Sequence, residues 1–254
     1  LGAISHETVR EFLGRTFEGG GMVLVGANIA HDVLEDLADT FFLSAPRGQG
    51  VEAAQGAWEG GVFVDADAGS STTHVAVAFP GAPVAQGAVQ AVASEILGSR
   101  PRSGKGCGSP ILASASFPAA SAFAATYHAT GLFGVQARVN SNDVQPALQG
   151  IAGALKQLAA GEFNEAELSR AKAALSVARA ASLDRTRGAA HDLGYAALFG
   201  QQEATGNSVK AIQAVSKDAV ATFAQNALKQ HPAVGIVGNP YATPRYDKIA
   251  ALFH

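Results

Sequence analysis

The sequence predicts an α+β fold built from duplicated α/β sandwich domains, each a mainly antiparallel sheet covered by helices. Only the tail of the first domain is expected within these 254 residues. Three observations lead there. A segment occurs twice: Ser5 to Phe42 aligns without a gap on Ser216 to Phe253, a constant offset of 211. Ser5 falls on Ser216, Val9 on Val220, Phe12 on Phe223, Val23 on Val234, Val25 on Ile236, Asn28 on Asn239 and Phe42 on Phe253. Self-similarity at domain-sized spacing signals duplicated domains. Next, strand-like runs come in pairs joined by tight turns, and grouped helical patterns follow. That order gives an α+β fold, whereas a doubly wound parallel sheet needs strict alternation of strand and helix. Last, 48% hydrophobic and 15% charged residues suit a packed core and exclude wholesale disorder. The expected organisation is a domain tail at 1–43, a linker at 44–57 and a complete second domain at 58–254.

Each element has a local reason. Ser5 is an N-cap for a helix to Phe17, with Val9, Phe12, Leu13 and Phe17 on one face. Glu18-Gly19-Gly20-Gly21 ends it, and Met22 to Gly26 reads as a short apolar strand. His31 to Phe42 is a second helix, with Leu34, Leu37, Ala38 and Phe41 as its apolar stripe. Gly, Gln and Pro dominate the linker. Gly61 to Ala66 and Thr73 to Phe79 read as a hairpin turning at Asp67 to Ser71. Pro83 opens a helix to about Leu97. A glycine-rich basic loop, Gly98 to Ser109, and a short helix, Pro110 to Ser116, follow. Ser121 to His128 and Leu132 to Val139 are strands joined at Ala129-Thr130-Gly131. Helices then run from Asn142 to Ala160, Glu165 to Ser182 (capped by Asn164), Asp184 to Phe199 and Ser208 to Val215. The second copy of the repeat closes the chain.

Composition narrows function by exclusion. A net charge of −3 gives no electrostatic footprint for nucleic acid. The single cysteine, Cys107, rules out an internal disulfide framework and fits a reducing compartment or the mitochondrial matrix. No stretch approaches the roughly 20 uninterrupted apolar residues of a membrane span.

A search for chemistry finds no catalytic, cofactor-binding or metal-ligating residue. The seven histidines are His6, His31, His74, His128, His191, His231 and His254, and no two lie at the i, i+4 spacing that presents two imidazoles to one zinc. His-Glu-x-x-His and His-x-x-Glu-His are both absent. His31 reads as the surface start of a helix, His191-Asp192 as the polar face of another, and His74 and His128 as strand residues. The loop Gly98 to Gly108 is no phosphate cradle. Five residues separate Gly98 from Gly104, and Gly106 follows Lys105 where a hydroxyl belongs. The loop reads as a mobile surface loop, to which Arg100, Arg102 and Lys105 give a local positive charge that would suit an acidic partner. Cys107 has no catalytic pairing in the sequence, and Asp65 and Asp67 fall at a turn.

SAFAATYHATGLFGVQARV, Ser121 to Val139, resembles the strand pair in the second domain of the insulinase-type (pitrilysin) metallopeptidase superfamily, in its mitochondrial branch. That branch contains the processing peptidase subunits and the core proteins of respiratory complex III. VLVGANIAHDVLEDLADTFF, AWEGGVFVDADAGSSTTHVAVAF, AVASEILGSRPRSGKGCGSPILAS and AVGIVGN are similar to further segments of the family, in order and spacing. The Ser121 to Gly134 pattern most resembles the core proteins. Gly104-Lys105-Gly106 partly matches the glycine-rich loop of the processing peptidase's noncatalytic subunit. The family's zinc ligands and catalytic Glu lie in its first domain, and none carries over to a position here. The resemblance implies a non-catalytic structural core subunit of ubiquinol–cytochrome c reductase, on the matrix side of the mitochondrial inner membrane. It would pair with a homologous core subunit and reach the membrane through partners. It would bind no cofactor itself, the haems and iron–sulfur centre being on partner subunits. The alternative is the presequence-binding subunit of the mitochondrial processing peptidase.

Overall fold

Five strands form one sheet in the computed structural model, which describes residues 4–48, 56–98, 111–112, 120–198 and 204–253. The elements are α1 (His6–Thr16), α2 (His31–Phe42), β1 (Gly61–Ala66), β2 (Thr72–Gly81), α3 (Gly87–Leu97), β3 (Ala120–Thr126), β4 (Gly131–Asn140), α4 (Val144–Ala159), α5 (Glu165–Leu183), α6 (Thr186–Leu198), α7 (Ala204–Ala214), α8 (Lys217–Leu228), β5 (Ala233–Gly238) and α9 (Tyr246–Ala250). They cluster into two units. One is Leu1–Ala54 with Val177–Lys210, and the other is Gln55–Ser176 with Ala211–His254.

The second unit holds the sheet, in the order β1-β5-β2-β4-β3. Only β1–β5 is parallel; the other three pairings are antiparallel. Alternation along the strands decides which face is covered. Val75, Val77 and Phe79 of β2 are buried, and so are Phe133, Val135 and Ala137 of β4 and Val234 and Ile236 of β5. Register puts Val77 beside both Val135 and Val234, so the buried rows run straight across three strands. α3, α4 and α8 lie over these rows. Ile96 and Leu97 of α3, Leu148, Ile151, Leu155 and Leu158 of α4, and Val220 of α8 complete the core. Phe79 meets Phe253 edge-on at 5.3 Å between centroids, and Phe133 meets Phe223 at 5.1 Å.

The sequence reading is corrected at the strands. β1 and β2 do not form a hairpin, because β5 lies between them and bonds to both. Turn composition reports where the chain reverses, not which strand fills the gap. Met22 to Gly26 is not a strand among the described residues. Its repeat equivalent becomes β5 because two neighbours satisfy its backbone groups, and an isolated run has no ladder to join. The β3–β4 hairpin forms as expected, but β3 ends at Thr126, so His128 sits in the turn. The Gly98 to Ser109 loop beyond Gly98, with Arg100, Arg102, Lys105 and Cys107, lies outside the described residues, as does His254.

Local signals behave as chemistry demands. Ser5 Oγ accepts from Thr8 N at 3.1 Å, and Ser216 Oγ accepts from Ala219 N at 3.1 Å, so both repeat copies begin with the same cap. Asn164 and Glu167 form a reciprocal capping box at α5, with N···O distances of 2.9 and 2.8 Å. Gly161 ends α4 with φ +70°, a left-handed conformation that favours glycine.

Candidate assembly surface

Gln90 of α3 ties the sheet's end together. It is fully buried; its Oε1 accepts from Ala82 N, and its Nε2 donates to Ala125 O and Leu132 O, each at 3.0 Å. One amide thus joins the exit of β2 to β3 and β4. A second buried polar group sits at the opposite end of β2. Thr73 Oγ1 and Ser141 Oγ are 3.0 Å apart, and Ser141 also donates to Ser70 O at 2.9 Å. Gly238 closes this corner at φ +143°, where an added Cβ would stand 2.7 Å from Thr73 Oγ1. These groups join neighbouring strands and turns to one another.

The sheet's other face has a different character. One row across it reads Phe63, Gly235, Ala76, Gln136 and Ser121, and the next reads Asp65, Val237, His74 and Arg138. Phe63 is 69% exposed, and Val62, Val64 and Val237 are exposed beside it. β1 is an edge strand, exposed on both faces and carrying only Asp65 as a charge. Natural edges are usually blunted by lysine, proline or a bulge, and this apolar edge is left open to pairing.

The first unit is barer still. No residue of α1 or α2 is buried, and Val9, Phe12, Leu13, Phe17, Val33, Leu37, Phe41 and Phe42 are all exposed. Each such side chain is worth about 1.5–3 kcal/mol on full burial. The stripe anticipated on α1 is therefore exposed, and that on α2 is covered only in part, at Leu34 and Ala38. One polar contact in this unit departs from expectation. Asp192 is buried rather than on a polar helix face; it pairs with Arg179 Nη2, and Arg179 Nε donates to Ser208 Oγ at 3.0 Å. Sequence spacing could not show this, because the partners come from three helices. Asp192→Ala strands a guanidinium that is only 27% exposed, and should destabilise α6 and its neighbours by about 2 kcal/mol. Thermal melts of wild type and variant test this, and an unchanged melting temperature would mean the pair contributes nothing.

Among the described residues the histidines form no metal-binding cluster. His31 Nε2 lies 3.3 Å from Glu35 Oε1 as an exposed i, i+4 pair, His74 is exposed on the open face, and His6 is exposed at the start of α1. The His191 ring lies 4.8 Å from that of Tyr195, and His231 uses its carbonyl to accept from Trp58 Nε1 at 2.8 Å. Among the described residues no group of three or more His, Cys, Asp or Glu side chains could hold a metal ion. Nor is any described helix long and apolar enough to cross a membrane.

Comparison with known proteins agrees with this scaffold. The chain is 28% identical to the probable mitochondrial-processing peptidase subunit alpha-1 of Arabidopsis thaliana, over all of this chain and 53% of that protein. It is 25% identical to cytochrome b-c1 complex subunit 2 of Rattus norvegicus, over 98% of this chain and 57% of that protein. The chain thus spans about half the length of these curated relatives. Its fold matches a chain in the structure of complex III2 from Candida albicans with Inz-5 bound, at a TM-score of 0.76 and 19% identity. That match covers 89% of this chain and 57% of the other. Residues 3–175 match the Peptidase M16 inactive domain, and the chain belongs to that family.

Proposed function

We propose that the chain is a non-catalytic structural core subunit of ubiquinol–cytochrome c reductase, equivalent to the complex's second core protein. It sits on the matrix side of the mitochondrial inner membrane. It pairs with a homologous core subunit and binds no cofactor, the haems and iron–sulfur centre being carried by other subunits. The observation that carries the reading is the apolar surface that each unit by itself leaves exposed, Phe41 and Phe42 in the first and Phe63 and Val64 in the second. A surface of that kind suits a protein whose work is assembly. The 25% identity to the rat cytochrome b-c1 complex subunit 2 supports the choice of this complex.

A second reading is the noncatalytic, presequence-binding subunit of the mitochondrial processing peptidase. The 28% identity over the whole chain favours it. Native gel separation of source membranes distinguishes the two. The band holding this chain should contain b- and c-type haem. A haem-free band whose partner carries His-x-x-Glu-His, and which cleaves a presequence peptide, would replace the first reading with the second.

A further inference from the structure

The sheet has two edges, and they are held differently. β3 is tied to the helix layer: Ala122 N donates to Gly98 O at 2.6 Å, Gln90 Nε2 donates to Ala125 O, and Ser121 and Ala122 are buried. At the other edge no residue of β1 is buried. Val62 and Val64 lie in register with Val234 and Ile236, on the face the helices cover, yet they are 47% and 41% exposed. Side-chain burial therefore does little to hold β1 in place. What holds its length is one six-residue parallel ladder to β5, a pairing slightly weaker per residue than an antiparallel one. Its ends are pinned separately. Gly61 N donates to Pro232 O at 3.1 Å, and Asp67 N donates to Gly238 O at 2.8 Å. Ahead of Gly61, the chain's one tryptophan, Trp58, donates from Nε1 to His231 O at 2.8 Å. Tyr246 Oη donates to Pro232 O at 2.8 Å beside it. Gly60 passes so close that a Cβ there would stand 2.6 Å from His231 Cβ and 2.7 Å from Tyr246 Oη.

We infer that β1 is a strap that opens by itself and that Trp58 is its latch. Opening breaks the β1–β5 ladder and leaves the other four strands paired, because the buried rows run through β5, β2 and β4 and take nothing from β1. The latch sits where the strap meets the body of the unit. Trp58 and Tyr246 grip the adjacent carbonyls of His231 and Pro232, and Tyr246 belongs to α9, whose Ile249 is in the core. The strap decides which strand the sheet presents at this margin. Closed, the margin is β1, with the charge of Asp65 on it. Open, it is β5, whose run Ala233–Gly238 carries no charge at all. Unpaired backbone groups on an uncharged strand are the more prone to pair with another chain.

Amide hydrogen exchange reads the strap directly, because successive residues of β5 point their N–H groups to opposite sides. With Gly61 and Asp67 donating to Pro232 and Gly238, the N–H groups of Val234 and Ile236 face β1, and those of Gly235 and Val237 face β2. After correction for intrinsic rates, Val234 and Ile236 should exchange at least about tenfold faster than Gly235 and Val237, and in step with Phe63 and Asp65. Trp58→Phe keeps a ring at the latch and removes its N–H. It should speed exchange at Phe63, Asp65, Val234 and Ile236 by about fivefold and leave Gly235 and Val237 as they were. Even protection along β5 in the wild-type protein would overturn the strap, whatever the variant does. No change in Trp58→Phe, or the same acceleration at all six amides, would overturn the latch. None of these readouts depends on haem or peptidase activity, so the inference and the core-subunit reading fail separately.

Discussion

Phe133→Ala is expected to cost about 3–5 kcal/mol of stability in the sheet-bearing unit. Phe133 is fully buried on β4, in the central rows beneath α3, α4 and α8, and holds Phe223 edge-on at 5.1 Å. Deleting the ring removes its transfer energy and leaves a cavity that neighbours held by strand register cannot collapse into. The control is the residue that the repeat makes equivalent to Phe223. Phe12→Ala should change the stability of the 254-residue chain by no more than about 0.5 kcal/mol, because Phe12 is exposed. Urea titrations of the two variants measure both effects. Similar losses at Phe133 and Phe12 would show that burial does not set the energy.

Gln90→Leu is expected to cost about 3 kcal/mol, although leucine is nearly the same size and more apolar. The buried amide serves three backbone groups on three different chain segments. Losing it strands the Ala82 N–H without a partner, worth about 1–3 kcal/mol, and removes a donor from two carbonyls at about 1 kcal/mol each. The defect should be local. Exchange should quicken at Ala82 and in the β3–β4 turn, while Val234 to Val237 stay protected. If the variant is as stable as wild type, the hydrogen bonds are replaceable by packing and the site is only a filled space. Gly81 shares the constraint, since a Cβ there would approach Gln90 Oε1 to 2.3 Å and Gly131 C to 2.8 Å.

Gln90 also shows what one-dimensional reading misses. It sits mid-helix among Val89, Ala91 and Val92 with no motif around it, and its partners are 8, 35 and 42 residues away. Asp192 is the same case with a charge. Beside His191 on a helix, it looks like ordinary polar surface, until Arg179 and Ser208 arrive from other helices. Nothing in local periodicity ranks such contacts.

The sequence by itself determined the helices, their caps and the repeat. Capping and 3.6-residue periodicity act over a few neighbouring residues, so Ser5, Asn164 and Ser216 announce their helices in any context. α2 begins and ends where its pattern does, at His31 and Phe42. Strand partnership was left to the tertiary structure. A strand's backbone groups are satisfied by whichever neighbour the whole fold brings alongside, and that neighbour can lie far off in sequence. So β5 separates β1 from β2 although a turn joins them directly. The same rule makes one copy of the repeat an inner strand, while the other, with a similar apolar pattern, is not a strand among the described residues.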